Sequence, residues 1–396
     1  MLPRIGSYRM RDYSARLLQR KKDGLYRHRR IIESPQSTEI VCDGKKLLSF
    51  CSNDYLGLAN DVRIKHAFTR GIEHWGNGAG AAHLITGHTS AHHQLEEELA
   101  EWLGRKSALL FSTGYMANSG IINALMGRGD IVIEDRLNHA SLIDGGLNSG
   151  AQMVRFPHAD TDAAEQKLLD HKGKHALLAT DGVFSMDGDI APLQKLANAS
   201  RKHNALLLVD DAHGIGVLGN KGRGSLDREG LSQQDVPLLM GTLGKGFGVF
   251  GAFVAGPELL IETIIQDARS YLFTTAAPAA MAEANRAALR CVMEDQWRRD
   301  KLAVLISRFR SGAEQLGLNL MPSETPIQPV LVGEADKALS MSQALEEQGL
   351  LVTAIRPPTV PRNSSRLRVT LSANHEETDI DKLLDAFEQI QAGKTR

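Results

Sequence analysis

The chain has 396 residues, a formal net charge of −1 and an ordinary globular composition, with 42% hydrophobic and 23% charged residues. This length predicts two domains with a core of full size, so neither disulfides nor a structural metal are needed. The near-neutral charge argues against nucleic acid or a membrane surface as a partner, and no stretch is apolar enough to span a bilayer.

The first residues are rich in arginine but contain no apolar core, which argues against a signal peptide. The same composition also fits a transit peptide, but nothing resembles a cleavage site. A first amphipathic helix with Leu17, Leu18 and Leu25 on its apolar side is favoured instead. The three cysteines form no CxxC pair, which indicates a reducing compartment and no zinc site. We therefore expect a cytoplasmic protein.

A short hairpin is predicted next, with strands at Glu39–Val41 and Leu47–Phe50 and a turn at Asp43-Gly44. From about residue 49 onward, short apolar runs alternate with helical runs, which predicts a mostly parallel sheet covered on both faces. Ligands of such sheets bind beyond the carboxyl ends of the strands. The predicted strands are Ser107–Phe111, Ile131–Glu134, Ala176–Thr180, Ala205–Asp210, Pro237–Gly241 and Gly251–Ala255, and the helices between them are His92–Leu103, Met116–Met126, Asp162–His171 and Leu193–His203.

Four histidines near the first of these helices suggest metal ligands at first sight: His83, His88, His92 and His93. The last two are adjacent in sequence, so on a helix their side chains point in different directions. We therefore expect no metal here.

Two strand exits carry residues typical of a cofactor site. Gly114 and Tyr115 follow a strand and open a helix, so free N–H groups there would bind a phosphate, although an ordinary turn fits as well. His139 follows the next strand and would stack on a flat ring. A lone histidine is more often structural, and Ser185 in a later loop is an equally weak signal by itself.

A buried strand then ends in Asp210-Asp211-Ala212-His213. A pyridine ring withdraws electrons only while its nitrogen is protonated, and a buried aspartate beside that nitrogen keeps it so. A metal site and a purely structural pair of acids are the alternatives. Gly214–Gly219 matches the dinucleotide fingerprint, but the residues after it cannot open a helix, which argues against a nicotinamide site.

Lys245 lies just past a strand in the stretch Gly241–Gly248, where glycines surround it. Glycines permit tight turns and leave room for a flat ligand. An amine in such a place can lose its proton and attack a carbonyl carbon. A solvated lysine in a turn is the alternative, whereas a phosphate-binding loop is excluded by the spacing.

After about Phe273 the pattern changes to a long helical region and then to short strands and helices. Residues 281–396 are therefore predicted to form a smaller α+β domain. Residues 49–280 are predicted to form the large cofactor-binding domain, and residues 1–48 the N-terminal helix and hairpin. The predicted elements are a helical region from Pro278 to about Leu316, strands Ile327–Val332, Val352–Ile355 and Arg366–Leu371, and helices at Leu339–Gln348 and from Asp379.

The order of these motifs is specific as a set, and it resembles the α-oxoamine synthases, a branch of the fold type I enzymes that use pyridoxal 5′-phosphate (PLP). The resemblance implies an aminotransferase-like α/β fold, with a mostly parallel seven-stranded sheet in the large domain. It also implies that Lys245 binds PLP as a Schiff base and then transfers protons. Asp210 would pair with the pyridinium nitrogen, His139 would stack on the ring, and Ser185 and His213 would contact its phenolate oxygen.

The resemblance further implies that Gly114, Tyr115 and Thr242 hold the phosphate. Thr275 would reach the phosphate of a neighbouring subunit, which implies a homodimer with shared active sites. On the substrate side, Arg368 and Asn53 would bind the amino-acid carboxylate. The resemblance also implies that three residues contact the acyl substrate, namely Arg27, Arg356 and Thr359.

Within this family the run Ile355–Pro361 is most similar to members that condense L-alanine with a pimeloyl thioester, with loss of carbon dioxide, in biotin biosynthesis. The acyl carrier, coenzyme A or acyl carrier protein, is left open. Members that use glycine with acetyl-CoA or succinyl-CoA are the alternative, and a nicotinamide oxidoreductase or a non-catalytic scaffold are remote ones. Ala81-Ala82-His83 departs from the smaller or hydroxyl residues of many relatives, which affects the expected acyl specificity.

Overall fold

The computed structural model describes residues 13–23 and 25–393. Its strands are β1 Glu39–Cys42, β2 Lys45–Ser49, β3 Ser107–Phe111, β4 Ile131–Asp135, β5 Gln152–Phe156, β6 Ala176–Asp181, β7 Leu206–Asp210, β8 Leu238–Thr242, β9 Ala252–Gly256, β10 Ile327–Gly333, β11 Leu350–Leu351, β12 Thr353–Ile355 and β13 Ser365–Thr370. Its α-helices are α1 Tyr13–Lys22, α2 Val62–Trp75, α3 Ser90–Leu103, α4 Gly114–Leu125, α5 Ala140–Asn148, α6 Thr161–Asp170, α7 Leu193–Lys202, α8 Ser225–Arg228, α9 Glu258–Asp267, α10 Arg269–Leu272, α11 Ala279–Glu294, α12 Gln296–Gln315, α13 Ala335–Glu347 and α14 Glu377–Gln391.

The central element is a seven-stranded sheet in the order β3-β9-β8-β7-β6-β4-β5. Only β9 runs antiparallel to its neighbours, so the predicted mostly parallel seven-stranded sheet is confirmed. The edge strand β5 was not predicted from the sequence. Of its five residues only Phe156 is buried, so the strand lacks the apolar run by which the others were recognised.

Helices cover both faces of this sheet, and the alternation of side chains along β7 shows it. Leu207 and Val209 belong to one buried cluster, whereas Leu208 between them belongs to another. Successive side chains of a strand point to opposite faces, so both faces must be buried. The parallel strands β4, β6, β7 and β8 all end at the same edge, and Asp210 lies beside Asp181 there.

The C-terminal part contains an antiparallel sheet in the order β10-β13-β12. Its middle strand β13 is completely buried and carries Arg366 and Arg368. The predicted hairpin is confirmed as β1 and β2, and β11 adds to it in parallel. The helical region predicted from Pro278 to Leu316 is two helices that meet at Asp295. The division into three parts stays a prediction.

The N-terminal helix α1 buries none of its residues against the described chain. Leu17 and Leu18 are about half exposed, at 49% and 55%. Their side of the helix therefore has no packing partner within the described part of a single chain. The arginine-rich residues before Tyr13 lie outside the described residues. Among the described helices, none combines the length and the apolar character needed to cross a membrane.

Candidate active site

A cavity of about 170 Å³ opens at the carboxyl edge of the large sheet. Eight of the nine residues predicted to bind the cofactor line it, although they come from five separate segments of the chain. The remaining one, Thr275, does not line it and is exposed in the single chain. The cavity is lined by Gly114, Tyr115, His139, Ser141, Asp181, Val183, Ser185, Asp210, Ala212, His213, Met240, Thr242 and Lys245.

Lys245 follows β8 in a tight turn, in which the Gly248 N–H donates to the Lys245 carbonyl at 2.9 Å. Its Nζ lies 2.8 Å from Nε2 of His213. Burial lowers the pKa of Lys245 below its ordinary value, and the charge of Asp210 opposes part of that effect. Burial therefore favours the neutral amine, which is the nucleophilic form.

Gly248 is required by the geometry of this turn. Its φ is +68°, and an added Cβ would overlap the backbone nitrogen of Ala59. We expect Gly248→Ala to lower the free energy of unfolding by about 2–4 kcal/mol, because left-handed backbone strain and steric overlap add. The matched control is Gly150→Ala, since Gly150 has a φ of +82° but open space around it. It should lose only about 1–2 kcal/mol, and equal losses in denaturant titrations would contradict the steric argument.

Tyr55 fixes the tautomer of His213. Its hydroxyl donates to Asn53 Oδ1 at 3.1 Å and lies 2.7 Å from His213 Nδ1. A hydroxyl has one proton, so His213 Nδ1–H must donate to the Tyr55 oxygen. Burial first, and then the charge of Lys245, hold the pKa of His213 well below its usual range, so the ring is neutral. The His213 Nε2 lone pair therefore faces Lys245 and can accept a hydrogen bond from its amine.

Arg368 meets the other end of this network. Its terminal nitrogens donate to Asn53 Oδ1 at 3.3 and 3.4 Å, and its Nε donates to the Ser185 carbonyl at 2.6 Å. Only 8% of Arg368 is exposed, and no carboxylate among the described residues pairs with it. Buried charges are normally paired, so this guanidinium is suited to bind a carboxylate that the chain itself does not supply.

Asp210 is held at the end of β7 by two donors. Asn118 Nδ2 donates to Oδ2 at 2.6 Å, and the Ala212 N–H donates to Oδ1 at 3.0 Å. Each oxygen of the Asp210 carboxylate therefore has a donor from the chain itself. Asn118 also donates to Ser141 Oγ at 2.8 Å, and Ser141 Oγ lies 2.7 Å from His139 Nδ1. Asn118 thus connects the acid to the histidine.

His139 caps helix α5 and sits at the mouth of the cavity. The Ser141 N–H donates to its Nδ1, and its own N–H donates to Asp181 Oδ2 at 3.1 Å. Asp181 is buried, and its Oδ1 has no partner among the described residues. Burial, and then the nearby Asp210, raise the pKa of Asp181 well above its usual range. An unpaired buried oxygen in the cavity lining indicates that the cavity accommodates a polar group.

The start of helix α4 forms one side of the cavity, where the sequence predicts a phosphate site. Thr113 caps the helix by accepting the Met116 N–H, and Gly114 begins the first turn. Thr242 Oγ1 donates to the Gly251 carbonyl and accepts the Gly244 N–H. The free N–H groups of the first helical turn carry partial positive charge, so an anion is stabilised here without any basic side chain.

The residues predicted for the acyl substrate are not brought into this cavity. Arg27 and Thr359 are exposed, and Arg356 is half-buried at the end of β12. None of the three lines the cavity. Their assignment stays a prediction, as does that of Thr275.

Two sequence patterns resembled other kinds of site, a dinucleotide site and a metal site. Gly219 is followed by a three-residue 3₁₀ turn at Asn220–Gly222, and not by the helix that a dinucleotide site requires. Among the histidines, His92 turns inward to the Ala277 carbonyl, whereas ligand atoms of His88, His93 and Glu96 lie within 4.8 Å of one another. The expectation of no metal there stays a prediction.

Three site residues were missed by the sequence analysis: Tyr55, Asn118 and Ser141. Tyr55 lies two residues after Asn53, which the family resemblance implied as a contact of the amino-acid carboxylate, so a signal existed. Asn118 sits inside a helix with nothing unusual around it, and its 2.6 Å contact to Asp210 spans 92 residues of sequence. No local pattern predicts such a contact.

Comparison with known proteins agrees with this geometry. The family model described as aminotransferase class I and II matches residues 45–387. An 8-amino-7-oxononanoate synthase from Thioalkalivibrio sulfidiphilus (strain HL-EbGR7) is 59% identical over 97% of this chain and 98% of its own length. The name of this relative agrees with the substrates that the run Ile355–Pro361 suggested.

Solved structures give the same result. A serine palmitoyltransferase from S. paucimobilis with a bound PLP–myriocin aldimine superposes with a TM-score of 0.91 at 30% identity, covering 96% of this chain and 97% of that chain. An 8-amino-7-oxononanoate synthase from Francisella tularensis superposes with a TM-score of 0.77 at 30% identity, covering 88% and 98%. The chain therefore belongs to the aminotransferase class I and II family and, within it, to the 8-amino-7-oxononanoate synthases.

Proposed function

We propose that this chain condenses L-alanine with a pimeloyl thioester to give 8-amino-7-oxononanoate, carbon dioxide and a free thiol, with PLP as its cofactor. One observation carries the chemistry: Lys245, His213 and Asp210 line one cavity, and the unpaired Arg368 is linked to it through Asn53 and Tyr55. The names of relatives such as the 59% identical synthase support the choice of substrates.

The cavity suits PLP in its donor set. Gly114, Tyr115 and Thr242 would surround the phosphate, Asp210 would face the ring nitrogen, and His139 would cover the ring. When bound, PLP supplies an aldehyde that reacts with amines and a protonated ring that withdraws electrons. Ser185 and His213 lie in the same lining and would contact the phenolate oxygen.

Lys245 acts as the amine and then as the proton carrier. The His213 Nε2 lone pair accepts a hydrogen bond from Lys245 Nζ across 2.8 Å and so orients the amine, and the neutral lysine can then remove the α-proton of the amino acid. Because Tyr55 accepts from Nδ1, the ring cannot rotate without losing a buried hydrogen bond. Lys245 thus takes up and returns the proton at a position that His213 fixes.

Arg368 and Asn53 bind the carboxylate of the amino acid. We expect Arg368→Ala to raise the KM for L-alanine by about 100-fold, since truncating one partner of a buried charge pair costs on the order of 2–5 kcal/mol. The control is Arg362→Ala, at an exposed arginine just before β13, which should leave KM unchanged. Steady-state kinetics with varied L-alanine measure both. An unchanged KM in Arg368→Ala would remove Arg368 from the substrate site.

We further propose a homodimer, in which Thr275 reaches the phosphate site of the neighbouring subunit. Its exposure in the single chain supports this assignment, because an exposed threonine is available to a second copy. Arg27, Arg356 and Thr359 are proposed for the acyl substrate on the resemblance alone. The three unpaired cysteines support a reducing compartment, and we propose the cytoplasm.

The test is to measure which amino acid and which thioester together release carbon dioxide. Purified enzyme with PLP is incubated with L-alanine or glycine, each with pimeloyl-CoA, pimeloyl-acyl carrier protein, acetyl-CoA or succinyl-CoA. We expect carbon dioxide only with L-alanine and a pimeloyl thioester. Release with glycine and a short thioester alone would replace this function by that of a glycine-using relative.

A further inference from the structure

The side chain of His158 lies between two carboxylates that belong to different loops. Its Nδ1 is 3.1 and 3.2 Å from the two oxygens of Asp135, and its Nε2 is 2.9 Å from Asp189 Oδ2. His158 itself follows β5 and lines no part of the active-site cavity. The function proposed above gives it no role.

The two carboxylates mark the two loops that hold the cofactor face of the site. Asp135 ends β4, and the chain runs from it through a short turn to His139. Asp189 belongs to the loop after β6, and the Phe184 N–H donates to the Asp189 carbonyl, which closes that loop around Ser185. A single imidazole therefore bridges the segment bearing His139 and the loop bearing Ser185.

Further contacts fix the same loop. The Phe184 ring meets the His158 ring edge to face, with centroids 4.4 Å apart. Asp187 pairs with Arg366, and Arg368 Nε donates to the Ser185 carbonyl oxygen. The loop is thus held from the strand β13 on one side and from His158 on the other.

The geometry requires a charged imidazole. A neutral ring has one N–H, so one of its two nitrogens would present a lone pair to a carboxylate oxygen. Asp135 also accepts the Leu137 and Ala159 N–H groups at 2.7 and 2.8 Å, so both of its oxygens act as acceptors. Only imidazolium satisfies both carboxylates, as in charge-assisted hydrogen bonds elsewhere.

We propose that His158 is a positioning residue that clamps the Ser185 loop to the His139 segment and so shapes the cofactor face of the cavity. This inference rests on the proposed roles of Ser185 and His139 as PLP contacts. His158 acts only through these residues.

The clamp is expected to open at high pH. Burial alone would lower the pKa of His158, but hydrogen bonds to Asp135 and then Asp189 outweigh it and raise the pKa to about 9. Because its pKa is raised, the charged His158 ring stabilises the closed clamp fully at pH values below the pKa that histidine has in the unfolded chain. This stabilisation is lost as the pH rises through about 9. Among the described residues, the charged groups against His158 are Asp135, Asp189 and Asp187, the last already paired with Arg366.

The experiment compares the wild type, His158→Gln and the control His203→Gln as full-length proteins. His203 also pairs with a carboxylate, Glu165, at 3.2 Å, but it lies at the end of α7 away from the cavity lining. Three quantities are measured: PLP dissociation constant, visible circular dichroism of bound PLP from pH 7 to 10, and hydrogen exchange of residues 182–190 without PLP.

We expect His158→Gln to weaken PLP binding about tenfold, the effect of losing about 1.4 kcal/mol. It should also speed exchange in 182–190 and lack the circular dichroism change that the wild type shows near pH 9. His203→Gln should match the wild type. Wild-type exchange rates and an unchanged dichroism profile in His158→Gln would overturn the inference.

Asp189→Asn provides a second variant if His158→Gln does not fold. It keeps an acceptor for His158 but removes one charge, so the dichroism change should move to lower pH. A transition that stays in place would contradict the clamp. Failure of the proposed function is distinguishable, because in that case Lys245→Ala and Asp210→Asn would also leave PLP binding unaffected.

Discussion

Lys245→Ala is expected to lower kcat/KM for the condensation by at least about 1000-fold, because no other described amine lines the cavity to replace a covalent nucleophile. The variant lacks the neutral amine that burial favours in the wild type. It also leaves the His213 Nε2 lone pair, which lies 2.8 Å from Lys245 Nζ, without its partner. Hydride reduction followed by mass analysis should place the PLP adduct on Lys245 in the wild type and find none in the variant.

The control is Lys106→Ala, at an exposed lysine before β3 that does not line the cavity. It should retain wild-type kinetics and the adduct on Lys245. An adduct on another residue, or full activity in Lys245→Ala, would remove the basis of the proposed function.

Asp210→Asn is the second large effect. Breaking a buried ion pair costs about 3–5 kcal/mol, so we expect PLP to bind and the reaction to proceed about 200- to 5000-fold less well. The amide also presents N–H groups to Asn118, whose 2.6 Å bond to Asp210 needs an acceptor. Equilibrium dialysis of PLP and kcat measure the two consequences separately.

Asp162→Asn serves as the control, since this exposed acid lies in the first turn of α6. Only a few tenths of a kcal/mol of helix stability should be lost there. If Asp210→Asn bound PLP with wild-type affinity and turned over normally, the ring nitrogen would not depend on this carboxylate.

The residues proposed to bind the substrate were predicted on a different basis from the residues proposed to bind the cofactor. Residues at strand exits, such as His139 and Asp210, could be found because each follows an apolar run that marks a strand. Asn53 and Arg368 follow no such pattern, and only the family resemblance pointed to them. Their contact spans 315 residues of sequence.

By itself the sequence determined the alternation of strands and helices, the end of each buried strand, and the ordered set of polar residues at those ends. It did so because strand and helix periodicity are local properties, and parallel strands bring their carboxyl ends to one edge. The tertiary structure alone decided which of the remaining side chains meet there. Tyr55 selects the His213 tautomer, Asn118 holds Asp210, and His158 joins two loops. Such contacts depend on packing between distant segments, which no window of sequence contains.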